Sequence, residues 1–138
     1  MRPIKYIGKY RGKRKDSGEW VYGMAFCDKG KTFVITNIIS QTSKTEFIVD
    51  VHEIDPDTLG QFSGLKDTAD DDICEGDILD LGAASFEHWC VKFKKGKFIL
   101  YSKDCREVFF PPKCYEIKIV GNIHDNPELL KGDTNERN

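Results

Sequence analysis

FEHWCVKFKKGKFILYS, residues 86–102, reads as a β-hairpin. Trp89, Val91 and Phe93 alternate to one side, with Phe86, His88 and Cys90 on the other, as a strand of period two requires. Lys94-Lys95-Gly96 forms the tip and Lys97–Ser102 returns. The same texture extends outward in both directions. Lys5–Arg11 and Glu19–Phe26 read as strands joined at Asp16-Ser17-Gly18. Lys31–Ile39 follows Asp28-Lys29-Gly30, and Glu46–Val51 places Phe47, Val49 and Val51 on one face. Downstream, Ile73–Leu81 contains the turn Glu75-Gly76-Asp77, and Tyr115–Ile123 alternates imperfectly. Asn126-Pro127 looks like a helix start, but only Leu129-Leu130 follows, so about one turn is expected.

Composition agrees. The chain has 13 Ile, 7 Val and 7 Thr against 7 Leu and 4 Ala, and β-branched side chains suit a pleated surface better than a helix. Its 138 residues, 39% hydrophobic and 32% charged, with a mean hydropathy of -0.49, are those of an ordinary globular protein. No apolar run approaches the ~18 residues that span a bilayer, and Arg2 opens a charged start unlike a secretory signal. A cytoplasmic location is therefore expected. The five Cys (27, 74, 90, 105, 114) are odd in number and lack a CxxC, so they are expected as free thiols acting as small buried hydrophobes.

Asp55-Pro56-Asp57 interrupts the strand pattern, since proline cannot donate to a ladder. The expected organisation is a β-rich N-terminal lobe over residues 1–57, a small barrel over 58–130, and a flexible polar tail over 131–138. Phe62, Leu65, Ile78, Trp89, Val91, Ile117 and Ile119 are expected to share the core of the second part.

Charge is segregated although the net is only -2. Arg2, Lys5, Lys9, Arg11, Lys13, Arg14 and Lys15 crowd the start without an acidic residue, whereas Glu46–Asp80 holds twelve acidic residues and one Lys. Lys92, Lys94, Lys95 and Lys97 gather at the hairpin among Phe93, Phe98 and Tyr101. Small barrels bind single strands through such stacked aromatics in a basic groove, so Lys13, Arg14, Lys15, Lys92, Lys94, Lys95, Lys97 and Tyr101 are the candidate nucleic-acid contacts. The plainer account of those lysines is protection of a sheet edge. His88 and Cys90, two apart on one strand, form the only Cys–His pair worth naming, and no third group orients them. The acidic run Asp67–Asp77 lacks EF-hand spacing, and no phosphate loop, dinucleotide fingerprint, HExxH or GxSxG occurs. Neither catalysis nor a metal or other cofactor is expected.

Three ordered blocks are more specific. Arg11–Gly23 (RGKRKDSGEWVYG) opens the chain. Thr58–Asp67 (TLGQFSGLKD) runs on into Ile73–Ile78 (ICEGDI), and Gly121–Leu130 (GNIHDNPELL) closes it. Together they resemble the YopX family of bacteriophage and prophage proteins, with Leu59, Ser63 and Cys74 as minor departures. The resemblance implies a mainly β fold: a β-rich N-terminal part followed by an SH3-like C-terminal barrel. It implies no activity. Gly60, Gln61, Phe62, Gly64, Leu65, Glu75, Gly76, Asp77, Gly121, Asn122, Asn126 and Pro127 are then expected to specify the fold rather than a chemistry. The functional expectation is a non-catalytic phage or prophage interaction module in a bacterial host, binding a host or phage protein, with homo-oligomers possible. Weak, sequence-independent binding of single-stranded nucleic acid is the alternative; no membrane partner is expected.

Overall fold

The computed structural model describes residues 9–131. Arg2, Lys5, the expected strand start and the tail beyond Lys131 lie outside the described residues. The fold is mainly β, built as antiparallel sheets, with one short helix among the described residues. Two compact units meet in the chain between Phe62 and Ser63.

The first unit is a meander of β1 (Tyr10–Lys13), β2 (Trp20–Asp28), β3 (Lys31–Gln41) and β4 (Phe47–Ile54). The β2–β3 loop is two residues long because Lys29 and Gly30 both adopt positive φ (50° and 78°), the backbone of a type I′ hairpin. At one end the meander curls back on itself. Arg14 bridges Ile54, the Lys15 N–H donates to the Glu53 carbonyl at 3.0 Å, and the Asp55 N–H donates to the Lys13 carbonyl at 2.8 Å. A 3₁₀ turn, Pro56–Thr58, locks this closure: Thr58 Oγ1 donates to the Asp55 carbonyl at 2.6 Å and accepts the Lys13 N–H at 2.8 Å. Val34 and Ile54 are fully buried inside the curl.

Curling this tightly needs glycine at two approaches. A Cβ at Gly12 would stand 2.2 Å from Ile54 Cδ1. At Gly23, β2 changes partners: Gly23 pairs with Tyr10 of β1, while Met24 pairs with Ile35 of β3. A Cβ there would lie 1.9 Å from the Ile35 carbonyl oxygen, which is backbone and cannot rotate aside.

β5 (Gly60–Lys66) leaves the first unit, where Gly60 and Gln61 pair with β1, and continues into the second, beside β6 (Asp72–Cys74). This stretch is a strand despite its two glycines, one of which, Gly64, has a positive φ (91°). Its Phe62 ring lies half-buried beneath the Lys9 ammonium, 5.1 Å from the centroid, and Leu65 is exposed. Neither belongs to the buried cluster of the second unit, so the expectation placing them in that core is corrected.

The second unit contains a five-stranded sheet in the order β10-β9-β8-β7-β11. Its strands are β7 (Asp77–Asp80), β8 (His88–Lys94), β9 (Lys97–Tyr101), β10 (Glu107–Phe109) and β11 (Lys118–Asn122). Lys95 and Gly96, with φ of 53° and 79°, make the β8–β9 tip a second two-residue hairpin. One side buries Ile73, Leu79, Leu81, Trp89, Val91 and Leu100, with Ile117 and Ile119 packed against them. Ile78 is also fully buried. α1 (Pro127–Lys131) is the expected single turn, and it packs on β8, where His88 Nδ1 donates to the Leu129 carbonyl at 2.8 Å. Gly121 sits at a register shift in β11, where a Cβ would meet Asn126 Oδ1 at 2.7 Å.

The acidic loop between β5 and β6 is organised by Asp67. Its Oδ1 accepts the N–H groups of Ala69 (3.0 Å) and Asp71 (2.9 Å), and its Oδ2 accepts that of Ile119 (3.1 Å). Three backbone donors explain why this carboxylate is buried at the mouth of the loop.

Replacing Gly23 with Ala should lower stability by about 3 kcal/mol, the upper end of the overpacking range. Chemical denaturation checks this; an unchanged midpoint would mean that β3 does not press on β2 there.

Candidate interaction surfaces

The candidate nucleic-acid residues fall into two groups, one in each unit. In the first, charge is already compensated. Arg14 holds Asp16 through a bidentate pair (2.9 and 2.7 Å), which keeps the Asp16 carboxyl below its ordinary range. Lys15 pairs with Glu53 at 3.4 Å. Lys13 lies 5.6 Å above the Trp20 ring, beside Arg11 at 4.8 Å.

In the second unit, register places Lys92, Lys94, Lys97, Ile99 and Tyr101 on one sheet face, opposite Trp89, Val91 and Leu100. β10, which the sequence reading did not anticipate, adds Glu107 and Phe109 to that face through pairs with Tyr101 and Ile99. Together Lys94, Lys95, Lys97, Ile99, Glu107, Val108 and Phe109 line a cleft of about 550 Å³. Lys97 stands 5.4 Å over the Phe109 ring, and that ring is 78% exposed. Lys94 donates to Glu107 at 2.6 Å, and this contact holds the Glu107 carboxyl below its usual range. Lys92 lies 5.6 Å over Tyr101.

The fold-specifying residues have local tasks. Asp77 is buried and accepts the Cys74 N–H at 2.8 Å, while Gly76 (φ 95°) donates to the Val91 carbonyl and accepts from Ile123, both at 2.8 Å. Glu75 completes that turn. Asn122 Oδ1 accepts the N–H groups of His124 and Asp125, and Asn126 Oδ1 accepts that of Asn122, ahead of Pro127 and the helix.

Other candidates are dispersed. His88 is engaged with α1, and the Cys90 thiol contacts the Val91 carbonyl at 3.7 Å. All five cysteines are free, but Cys27 and Cys105 are exposed, because Cys105 sits at a positive-φ turn (61°) and Cys27 near the end of β2; the expectation that the thiols are buried holds for Cys74 and Cys90. Among the described residues no three His, Cys, Asp or Glu side chains gather as metal ligands, and no helix is long and apolar enough to cross a membrane.

Sequence reading passed over one surface, the outer side of β2–β4. Tyr22, Met24 and Phe26 alternate along β2, and Met24 and Phe26 pair with Ile35 and Phe33 of β3. Ile35 in turn pairs with Val51 of β4. β3 then carries two bulges, one between Ile35 and Asn37 and one between Ile38 and Ser40. Each bulge takes up one residue, so Ile38 stays in phase with Ile35 and pairs with Val49, and Gln41 pairs with Phe47. The result is an apolar stripe across three strands, uncharged at its centre and bordered on the same face by Glu53, opposite Phe33, and Arg11, opposite Tyr22. Phe26 and Phe33 stack at 5.1 Å within it, and Tyr22 (58%), Met24 (44%) and Phe47 (42%) are well exposed. The signal for it was apolar residues on both faces of β2 and β3, which a one-sided alternation does not explain.

Burial of Tyr101 beside the Cys90 thiol pushes its phenol above the ordinary tyrosine range. The folded chain therefore binds more protons than the unfolded one above about pH 10, and stability should fall as pH rises from there toward the folded-state value. In an alkaline ultraviolet titration, Tyr101→Phe should remove the latest-ionising step and leave the earlier ones.

The solved structure of protein EF1440 from Enterococcus faecalis superposes with a TM-score of 0.60 at 22% identity, covering 91% of this chain and 99% of that one. No curated protein matches the chain at a significant level. The family model described as YopX protein matches residues 9–131, nearly the whole chain and all three sequence blocks. The chain belongs to the YopX family.

Proposed function

We propose that this chain is a non-catalytic interaction module, phage- or prophage-encoded and acting inside a bacterial host, that binds a protein through the outer face of β2–β4. Its second unit serves as an SH3-like barrel. The observation that carries the reading is the exposed apolar stripe itself. Monomeric soluble proteins rarely leave contiguous apolar patches above a few hundred Å² uncovered, and larger ones mark sites of association. A photoreactive amino acid placed at Tyr22 and expressed in bacterial cells should cross-link to protein. The same probe at Tyr115, fully exposed in the second unit, should not. Absence of any cross-link from position 22 would overturn the proposal.

A second reading is favoured by one observation, the exposed Phe109 ring beneath Lys97 in the cleft. A ring open on one face and flanked by lysines suits a stacked base of single-stranded nucleic acid. Because Lys94 is tied to Glu107, about three phosphate contacts are available, giving a log–log salt slope of roughly −2 at ~0.7 per phosphate. Fluorescence anisotropy with a labelled oligonucleotide should show affinity weakened about tenfold by Phe109→Ala and abolished by Lys94→Glu/Lys95→Glu. Binding undiminished in both variants would remove this reading.

A further inference from the structure

We infer that the protein on the outer face of β2–β4 is a second copy of this chain, packed face to face across a two-fold axis. The inference rests on the interaction-module reading and names its partner. Three features of the face carry it.

The first is area. The exposed apolar side chains of the stripe offer on the order of 700 Å², close to the ~800 Å² that each side of a standard interface buries.

The second is chemistry. The centre of the stripe, Met24, Ile35, Val51, Ile38 and Val49, is uncharged; charge lies at its border, where Glu53 stands opposite Phe33 and pairs with Lys15, and Arg11 stands opposite Tyr22. Discrimination between different proteins relies on complementary charge, and nothing in the stripe supplies it. Homodimer interfaces are the apolar class, with charge confined to the rim. A two-fold needs a patch that matches itself, and an apolar centre does so without pairing unlike groups. Two such faces stack about 10 Å apart with interdigitating side chains, as the sheets of a sandwich do.

The third is the far end of the hairpin. Beyond Ile35, β3 pairs only with β4, so residues 36–41 and 47–50 form a two-stranded ribbon. Ile38 and Phe47 leave exposed apolar surface on its stripe side, at 41% and 42%. A lone two-stranded ribbon is marginal in water and gains order when covered.

Met24 and Val51 flank Ile35 on either side, so a charge at both strikes the middle of the face while touching only exposed positions. Sedimentation equilibrium of the full chain should give about twice 15.8 kDa. Met24→Lys/Val51→Lys should raise the dissociation constant at least tenfold with an unchanged circular-dichroism spectrum, and Met24→Leu should leave it unchanged. Two results overturn the inference: a wild-type chain that is monomeric at its highest soluble concentration, or a dimer that persists undiminished in the double lysine variant. A monomer whose position 22 still cross-links to another protein would overturn the second copy alone and leave the module reading standing. A monomer with no cross-link would overturn both.

Discussion

A carboxylate with almost no access to water, Asp77, holds the second unit together. Burying such a charge is costly unless donors surround it, and Asp77 sits where the chain turns from β6 into β7, with the Cys74 N–H on its Oδ2. That turn is also tied to β8 through Val91 and to the end of β11 through Ile123, both by way of Gly76. One three-residue corner thus registers β6, β7, β8 and β11 against each other. The position of the β8–β9 hairpin follows from it, and with it the side on which Lys92, Lys94 and Lys97 emerge. Asp67 repeats the device at the neighbouring loop, binding two of its own backbone groups and one of β11. Two acidic residues that sequence alone leaves among possible cation ligands are spent on backbone N–H groups.

What the sequence made legible was punctuation. Lys94-Lys95-Gly96 and Asp28-Lys29-Gly30 both yield two-residue hairpins, because a glycine at the second central position accepts the positive φ demanded there. Asn126-Pro127 likewise starts the single helical turn. Less legible was anything dependent on tertiary pairing. Gly60–Lys66 lacks alternation and carries two glycines, yet it becomes a strand because β1 and β6 offer ladders to it. Phe62 was expected in a core since aromatics usually are; it is half-buried instead, with the Lys9 ammonium over its ring. β10 is three residues long, too short for a period to show.

The two candidate surfaces differ in how much of their signal survives folding. The basic texture of Lys13–Lys15 looked like an anion site, but Asp16 and Glu53 claim Arg14 and Lys15. Charge runs in a sequence overstate free charge in this way, because partners arrive from elsewhere in the chain. The apolar stripe behaves oppositely. Its residues are scattered from Tyr22 to Val51 and look unremarkable singly, but register assembles them on one side.

The bulges in β3 bear on how this strand can vary in length. Each inserts one residue against β4 that the ladder leaves unpaired, so the strand is longer than its register requires. Removing Thr36 alone would abolish the first bulge without moving anything beyond it: Asn37 would follow Ile35 directly, still opposite Asp50, and Ile38 would keep Val49 as its partner and its side of the sheet. Single deletions at either bulge of β3 are therefore tolerable, as are changes of length in the Thr42–Glu46 loop at its end, and neither alters which side chains share a face. Related chains that keep the stripe should show length differences concentrated in that loop and at the two bulges.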